Sequence, residues 1–347
     1  MKILITASNM VHINNFHLPY IEKFKEQGDD VYVLASGVNA DFNVGFKKKL
    51  LSVKNLLLTF KIRRILKKEQ FDVVMLNTSL CAFYVRLAMK GLKKRPHVIN
   101  TVHGYLFSLN SSKVKRSIYL LCEKFLRKQT DNIIVMNDED LEIATSNRLC
   151  LDKIYRCDGM GFVKRLSTKQ NSKSISEKTR LTFVGEISKR KNQQFLIKAL
   201  KSLKNADLTL VGDGKERKRL EKLIKKLRID DRVRITGFTK DIGRYLAETD
   251  IYVSASSIEG LPFNILEAME AGLPIVASDI KGHRDLLPKD CLYELNNQDE
   301  FVKKIEKAFE NKVKYDVEKY RLKNALKNNM EIYNLCIKNY KLLLQNR

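Results

Sequence analysis

The sequence predicts an α/β protein made of two Rossmann-like, doubly wound domains, each built on a parallel sheet, with a cleft between the domains. Three observations lead to this prediction. A length of 347 residues suits two domains. Short apolar runs lack the period-two alternation of half-exposed strands, and a longer helical pattern follows each run. With 44% hydrophobic and 30% charged residues, the composition is that of a globular protein and excludes a disordered or fibrous chain.

The first domain is predicted over residues 1–163. Its strands are five runs rich in β-branched residues, at 2–8, 30–36, 72–77, 97–103 and 132–137. The chain turns polar at Asn9, so its beginning is interpreted as a strand and not as a signal peptide. Six cysteines without a C-x-x-C motif indicate reduced thiols in a cytoplasmic protein.

A second α/β unit is predicted over residues 180–314, after a polar linker at 164–179 that is rich in Ser, Lys and Gln. Its strands are predicted at 180–184, 206–211, 232–236, 251–255 and 274–278. The tail, 315–347, has a helical pattern rich in Lys and Asn. We expect its helices to pack on the outside of the protein, with the option of crossing back to the first domain.

Positive charge is concentrated in one part of the chain. The formal net charge is +25, and residues 47–95 contain 14 Lys and Arg against two acids. Such an excess suits nucleic acid, anionic lipid or a phosphorylated ligand, but no nucleic-acid-binding motif is present. Residues 50–68 predict a helix with two apolar faces, and one face lies beside Lys61, Arg64 and Lys67. That face is predicted to meet an anionic membrane surface, with burial of both faces as the alternative.

Two segments have features of phosphate-binding loops. The run 211–217, VGDGKER, follows a predicted strand but has Arg217 in place of the third glycine of a dinucleotide fingerprint, which argues against nicotinamide binding. The other segment combines Gly260, where a ligand can approach the backbone, with Pro262 in a predicted first helical turn. A helix N-terminus attracts anions. Glu259 and Glu267 could therefore hold the two ends of an elongated ligand whose phosphates lie between them.

A D-x-D string at Asp138 and Asp140 is the sequence's nearest approach to a metal-binding motif. It follows a strand and opens a helical pattern, so helix capping explains it. No group of His, Cys and Asp has the spacing of metal ligands along the sequence. We therefore predict no metal site.

The segment from Glu259 to Glu267 resembles the E-x7-E signature of the retaining glycosyltransferases of family 4, with the insert GLPF intact. The resemblance extends over nearly the whole chain and includes, in order, FHLPY at 16–20, HVINTVHGY at 97–105, FVGEISKRKN at 183–192, VGDG at 211–214, DRVRITGF at 231–238 and GHRDL at 282–286. The first and last of these are similar to the capsular and exopolysaccharide branch. The family has the GT-B fold, which agrees with two doubly wound domains.

The resemblance implies how the second domain would bind a nucleotide-sugar donor. Glu267 would bind the ribose hydroxyls, Glu259 the transferred sugar and Lys191 the diphosphate. Glu186 stands where the family usually has an arginine, so Lys189 or Arg190 would supply a second cation. The other donor-binding residues that the resemblance implies are Gly185, Gly237, Phe238, Gly260, Leu261, Pro262, Phe263 and Asn264.

In the first domain, the resemblance implies that His103 contacts the donor sugar and acts in catalysis together with Glu259 and Lys191. Acceptor contacts are expected after the first strand, at His12, Asn14, Asn15 and His17. His97 and His283 have no catalytic role in this interpretation, although the turn at His283 could line the donor pocket.

The implied activity is transfer of a sugar from a nucleotide donor, UDP-linked, with retention of anomeric configuration. The expected acceptor is a growing, lipid-linked glycan at the inner face of the cell membrane, with the enzyme bound peripherally. No metal or other cofactor and no nucleic acid is expected. Two alternatives remain: a nucleotide-sugar epimerase of similar fold, which would need no acceptor, and a basic nucleic-acid-binding protein.

Overall fold

The computed structural model describes residues 1–47, 52–163, 178–310 and 313–345. Most of the predicted linker, residues 164–177, lies outside the described residues. The chain forms two compact units, one made of residues 1–161 and 322–347 and the other of residues 162–321.

The first unit is built on a seven-stranded parallel sheet with the strand order β3-β2-β1-β4-β5-β6-β7. The strands are β1 (Lys2–Thr6), β2 (Asp30–Ala35), β3 (Phe42–Asn43), β4 (Val73–Leu76), β5 (His97–Val102), β6 (Asn132–Val135) and β7 (Ile154–Arg156). All residues of β4, β5 and β6 are buried, which explains why their sequences do not alternate. The sheet order reverses between β1 and β4, and ligands of such sheets bind at the carboxyl ends of the strands near this point.

Helices connect these strands and cover the sheet. They are α1 (Met10–Phe16), α2 (Leu18–Glu26), α3 (Val53–Glu69), α4 (Ser79–Met89), α5 (Lys113–Leu126) and α6 (Asp138–Ser146). Asparagines cap two of them: the side chain of Asn9 accepts from the backbone N–H of His12, and that of Asn137 from Asp140.

The second unit is built on a six-stranded parallel sheet with the order β10-β9-β8-β11-β12-β13. Its strands are β8 (Thr179–Val184), β9 (Ala206–Val211), β10 (Val233–Gly237), β11 (Ile251–Ser254), β12 (Ile275–Ser278) and β13 (Leu292–Tyr293). Its helices are α7 (Gln193–Ala199), α8 (Arg217–Leu227), α9 (Ile242–Ala247), α10 (Phe263–Glu270) and α11 (Gln298–Lys307). The order reverses between β8 and β11, so the loops after these strands are the expected ligand-binding edge.

The tail forms one long helix, α12 (Leu322–Gln345), that belongs to the first unit. From the sequence, the tail is expected on the outside, with the option of crossing back to the first domain. Tyr333 on α12 is buried, and its hydroxyl lies 3.1 Å from Thr101 Oγ1. Asn329 Nδ2 donates to Tyr20 Oη and to Gly159 O, both at 2.8 Å. A buried stripe on α12 therefore completes the core of the first unit.

Candidate functional sites

In the second unit, the loops after β8 and β11 lie against each other at the carboxyl edge of the sheet. The backbone N–H of Ser257 donates to Arg190 O at 2.8 Å, and Arg190 Nη1 donates to Ile258 O at 3.1 Å. The loop after β9 closes the same edge. A Cβ at Gly212 would lie 2.0 Å from Gly185 O, so only glycine permits this approach. The sheet topology thus brings together segments that are far apart in the sequence.

Glu259 is the centre of this edge. One carboxylate oxygen, Oε1, lies 2.7 Å from Lys191 Nζ, and the other, Oε2, lies 2.7 Å from Arg190 Nη1. Glu259 and Lys191 are both buried. Burial alone would raise the pKa of Glu259, but Lys191 and Arg190 outweigh it and lower that pKa to about 2. Glu259 is therefore an anion at neutral pH, held between two cations.

This geometry bears on the choice between Lys189 and Arg190 as the second cation of the donor site. Arg190 and Lys189 are both exposed, but only Arg190 of these two forms an ion pair with Glu259 among the described residues. Glu186 is also exposed at its side chain, and its backbone oxygen accepts from Gln193 Nε2. Of the two candidates from the sequence, Arg190 is the one that shares a carboxylate with Lys191.

His283 supports the loop that carries Glu259. Its Nδ1 lies 2.8 Å from Ser278 O and its Nε2 lies 3.3 Å from Ser254 Oγ. Burial lowers the pKa of His283 to about 4, so the ring is neutral at physiological pH. A Cβ at the preceding Gly282 would lie 2.6 Å from Gly260 O. The turn at His283 therefore packs directly against the part of the loop that contains Glu259 and Gly260.

Pro262 is the N-cap of α10 and Phe263 is its first residue. Asn264 uses its side-chain amide to donate to Val184 O and to Tyr252 Oη. This amide ties α10 to the sheet, a structural use that the sequence did not reveal. Burial raises the pKa of Tyr252, and the charges of Glu267 and Glu259 raise it further. Both carboxylates therefore act on the same tyrosine hydroxyl.

The remaining predicted donor-binding residues lie on the same loops or at a neighbouring strand end. Gly237 ends β10 and forms an isolated bridge with Gly212. Phe238, the next residue, is 79% exposed. Leu261 and Phe263 are partly buried. An exposed aromatic ring at this edge is available to a planar ligand group.

In the first unit, three histidines meet near the carboxyl edge of β1 and β5. The ring of His12 lies 4.5 Å from that of His103, and the ring of His17 lies 5.3 Å from His103 and 5.2 Å from His12. Burial lowers the pKa of His12 to about 4 and holds those of His17 and His103 well below the ordinary value. Asn14 and Asn15 lie on α1 as well, but their side chains are exposed. The predicted acceptor residues thus divide into two histidines, of which His12 is partly buried and His17 is buried, and an exposed amide pair.

Asp138 and Asp140 serve as structural groups at the start of α6. Asp138 Oδ1 lies 2.5 Å from Arg156 Nε, and buried Asp140 accepts from Asn137 Nδ2 at 2.7 Å. Asp140 also accepts from the backbone N–H of Tyr105 at 3.2 Å. The N-cap of α6 is Asn137, so the expectation that the D-x-D string caps the helix is wrong; Asp138 and Asp140 lie in the first turn, where negative charge suits the helix dipole.

The second apolar face of α3 is exposed, so the alternative in which both faces are buried is wrong. Its side chains are between 50% and 76% exposed: Val53, Leu56, Leu57 and Phe60. Lys61, Arg64 and Lys67 are exposed on the same helix. A second such face, which was not predicted, lies on α5, and its members are between 53% and 72% exposed: Val114, Ile118, Leu121 and Phe125. Their helical spacing of three and four residues was the available signal.

Comparisons with known proteins assign both halves of the chain. Residues 20–154 match the family model Glycosyltransferase Family 4, and residues 164–329 match the model Glycosyl transferases group 1. The chain is similar to the UDP-Gal:alpha-D-GlcNAc-diphosphoundecaprenol alpha-1,3-galactosyltransferase of Escherichia coli. The two are 27% identical over 341 residues, which cover 89% of this chain and 86% of that enzyme.

Two solved structures share the fold. The structure of Anabaena HepE in complex with UDP and glucose has a TM-score of 0.73 and 18% identity, covering 96% of this chain and 99% of that one. The lipopolysaccharide outer core galactosyltransferase WaaB, in its apo form, has a TM-score of 0.71 and 18% identity, covering 98% and 99%. The predicted GT-B fold, with two parallel-sheet α/β domains, is thereby confirmed.

The fold is that of the GT-B class. The chain has a family 4-like glycosyltransferase domain in its first half and a glycosyltransferase group 1 domain in its second. Among the described residues, no helix is both long enough and apolar enough to cross a bilayer.

Proposed function

We propose that this protein is a retaining glycosyltransferase that moves a sugar from a UDP-linked donor to a growing, lipid-linked glycan. The name of the similar E. coli enzyme specifies a UDP-sugar donor and a diphosphoundecaprenol-linked acceptor. The similar HepE structure holds UDP and glucose. The observation that carries the proposal is the buried Glu259 held by Lys191 and Arg190 just before α10.

In this proposal the second unit binds the donor. Lys191 and Arg190 lie where the diphosphate would arrive, and their positions are fixed in advance by Glu259. Preorganised cations stabilise the negative charge that develops on a leaving diphosphate, and the backbone N–H groups at the start of α10 add to this effect. No metal ion is required for this neutralisation. Glu267, which lies more than one helical turn after the start of α10, would bind the ribose.

Glu259 has two tasks in this scheme. Its charge holds the cations, and its oxygens accept hydrogen bonds from hydroxyl groups of the transferred sugar. Retention would follow if the acceptor hydroxyl attacks from the side of the departing diphosphate, which accepts the proton. The chain then needs no protein nucleophile at the anomeric carbon.

The first unit is proposed to act on the acceptor side. His103, the residue directly after β5, is assigned to the sugar. The residues assigned to the acceptor lie on α1 or directly after it: His12, Asn14, Asn15 and His17. Neutral imidazoles and exposed amides suit hydroxyl groups, since each can both donate and accept hydrogen bonds.

A lipid-linked acceptor requires access to a membrane surface, and α3 and α5 supply a suitable face. Both helices pack against α4, and both expose apolar side chains beside lysines and arginines. Apolar burial combined with attraction to anionic lipid is the usual basis of peripheral binding. We assign this face to the cytoplasmic surface of the cell membrane.

The reaction itself tests the proposed function. The full-length protein is incubated in EDTA with a panel of UDP-sugars, with and without a polyprenyl-diphosphate-linked sugar, and products are identified by mass spectrometry and NMR. We expect an extended lipid-linked glycan with the donor's anomeric configuration, and at least ~100-fold slower turnover in Lys191→Ala. Conversion of the donor sugar without acceptor would indicate an epimerase. Loss of activity in EDTA with rescue by Mn²⁺ would contradict the assigned role of Lys191.

A further inference from the structure

A cavity of about 360 Å³ lies in the first unit at the amino ends of β4 and β5. Its lining is partly apolar, because Leu66 and Phe71 are only 4% and 5% exposed and Pro96 is also buried. The ring of Tyr340 on α12 adds an aromatic wall and stacks on His97 at 4.8 Å. A volume above about 300 Å³ is in the range of small-molecule binding sites.

The polar part of the lining is strongly basic. Four cations and one acid belong to it: Lys67, Lys93, Lys94, Arg95 and Asp72. Arg95 is fixed by Asp131, to which it donates two hydrogen bonds of 2.6 Å. The three lysines have exposed side chains, and none of them forms an ion pair within the part of the chain that the structure describes. The cavity therefore offers three ammonium groups to an anion.

The loop that carries two of these lysines is held in place by Arg63 on α3. Its Nη1 donates to Ala88 O at 2.9 Å and to Lys90 O at 2.5 Å, and its Nη2 donates to Gly91 O at 3.1 Å. Gly91 has a φ of +70°, a conformation that favours glycine. The wall of the cavity is thus formed before any ligand arrives, which lowers the cost of binding.

We propose that this cavity binds the phosphate headgroup of an anionic lipid of the phosphatidylglycerol class. Lysine is a common phosphate ligand, and basic pockets at membrane surfaces bind lipid headgroups. The cavity is continuous with the face of α3 assigned to the membrane. Lys67 extends the exposed stripe that contains Phe60 and Arg64, at helical spacings of three and four residues. This continuity favours a lipid over a phosphate ion from solution.

The cavity is separate from the sites proposed for donor and acceptor. It adjoins the amino end of β5, whereas His103 follows the carboxyl end of this strand. Six residues at about 3.3 Å each place these two edges of the sheet about 20 Å apart. The inference rests on the proposed function only through the membrane face of α3. A bound headgroup adds lipid selectivity to the general attraction between basic residues and anionic lipid.

Calorimetry of the full-length protein with dihexanoyl phosphatidylglycerol, kept below its micelle concentration, tests the proposal without donor or acceptor. We expect one lipid to bind per chain. Replacing Lys93 and Lys94 by Gln should weaken binding by at least about 10-fold, because two charge-assisted contacts to the phosphate are lost. The control with the same charge change replaces Lys218 and Lys222 on α8 by Gln and should bind as the wild type does. All four lysines are exposed, and circular dichroism establishes that both variants are folded.

Further measurements identify the ligand and its location. Dihexanoyl phosphatidylcholine has the same chains without net charge and should bind at least about 10-fold more weakly. Hydrogen–deuterium exchange should slow at residues 66–72 and 90–96 with phosphatidylglycerol and stay unchanged at residues 10–20. Sugar transfer is assayed separately with a water-soluble acceptor, so its failure contradicts the proposed function and leaves the cavity result standing.

Four results would each overturn the lipid assignment. These are no phosphatidylglycerol binding by the wild type, equal affinity for the two lipids, equal affinity for inorganic phosphate, and equal weakening in the two double variants.

Discussion

Glu259 and Glu267 differ in their surroundings, and this difference separates their expected roles. Glu259 is enclosed by Lys191 and Arg190, whereas Glu267 lies on α10, eight residues further along. Glu267→Ala should weaken UDP binding by about 10- to 150-fold, the equivalent of a lost charged hydrogen bond of about 1.5 to 3 kcal/mol. Glu259→Ala should mainly lower turnover. Calorimetry with UDP measures the first effect and a transfer assay the second.

The exposed Glu248, at the end of α9, provides the matched control. Glu248→Ala should leave UDP affinity and turnover unchanged. An unchanged UDP affinity in the Glu267 variant would remove this residue from the donor site.

The ion pairs of Glu259 should also make stability depend on pH. Its pKa in the folded protein is about 2, below the ordinary 4.5, so the unfolded chain binds the proton more readily. The stabilisation is therefore complete above about pH 4.5 and is lost as the pH falls towards 2. Glu259→Gln should reduce the free energy of unfolding at neutral pH by up to about 3 to 5 kcal/mol, since a buried pair is broken. Urea denaturation should show this difference shrinking below pH 4.5; a constant difference would contradict the assignment.

At the residue scale, the sequence identified the site's chemical groups but not their partners. The motif around Glu259 was recognisable because its spacing and its glycine and proline are local features. The ion pair with Lys191 spans 68 residues, and no local pattern specifies such a contact. The same reason explains why the meeting of His12, His17 and His103 could not be predicted.

At the element scale, the main strands were predictable because each is a buried apolar run. The missed strands are short ones: β3 and β13 have two residues and β7 has three, too few for any periodicity. These three are edge strands of their sheets, and an edge strand needs fewer apolar neighbours than a central one. The exposed face of α5 was missed although its spacing was visible, because apolar helix faces are usually buried.

The exposed face of α3 should bind anionic membranes. Each basic residue near such a surface contributes about 1 kcal/mol, so replacing Lys61, Arg64 and Lys67 by Glu should release the protein from anionic liposomes. UDP affinity should be unchanged. Cosedimentation with phosphatidylglycerol vesicles measures binding, which should also fall with added salt, because charges are screened over ~8 Å at physiological ionic strength.

A control with the same charge change uses the exposed lysines of α8 in the second unit. Replacement of Lys218, Lys222 and Lys225 by Glu should leave vesicle binding intact. Equal sedimentation of the two triple variants would show that overall charge, and not the α3 face, governs binding.

At the scale of the whole molecule, two doubly wound domains followed from repeated strand–helix patterns, whereas the return of the tail to the first unit was only one of the options that the sequence left open. The position of α12 depends on contacts such as Tyr333 with Thr101, which are separated by 232 residues. The chain therefore begins and ends in the first unit, and the second unit is formed by one continuous segment, 162–321.

The central claim is that the second unit binds the nucleotide through the loops after β8 and β11. Hydrogen–deuterium exchange of the full-length protein, with and without UDP and in the presence of EDTA, tests it most directly. Slower exchange is predicted at residues 185–192 and 256–267, with no change at residues 10–20. Unchanged exchange over 256–267, or protection confined to the first unit, would contradict the account.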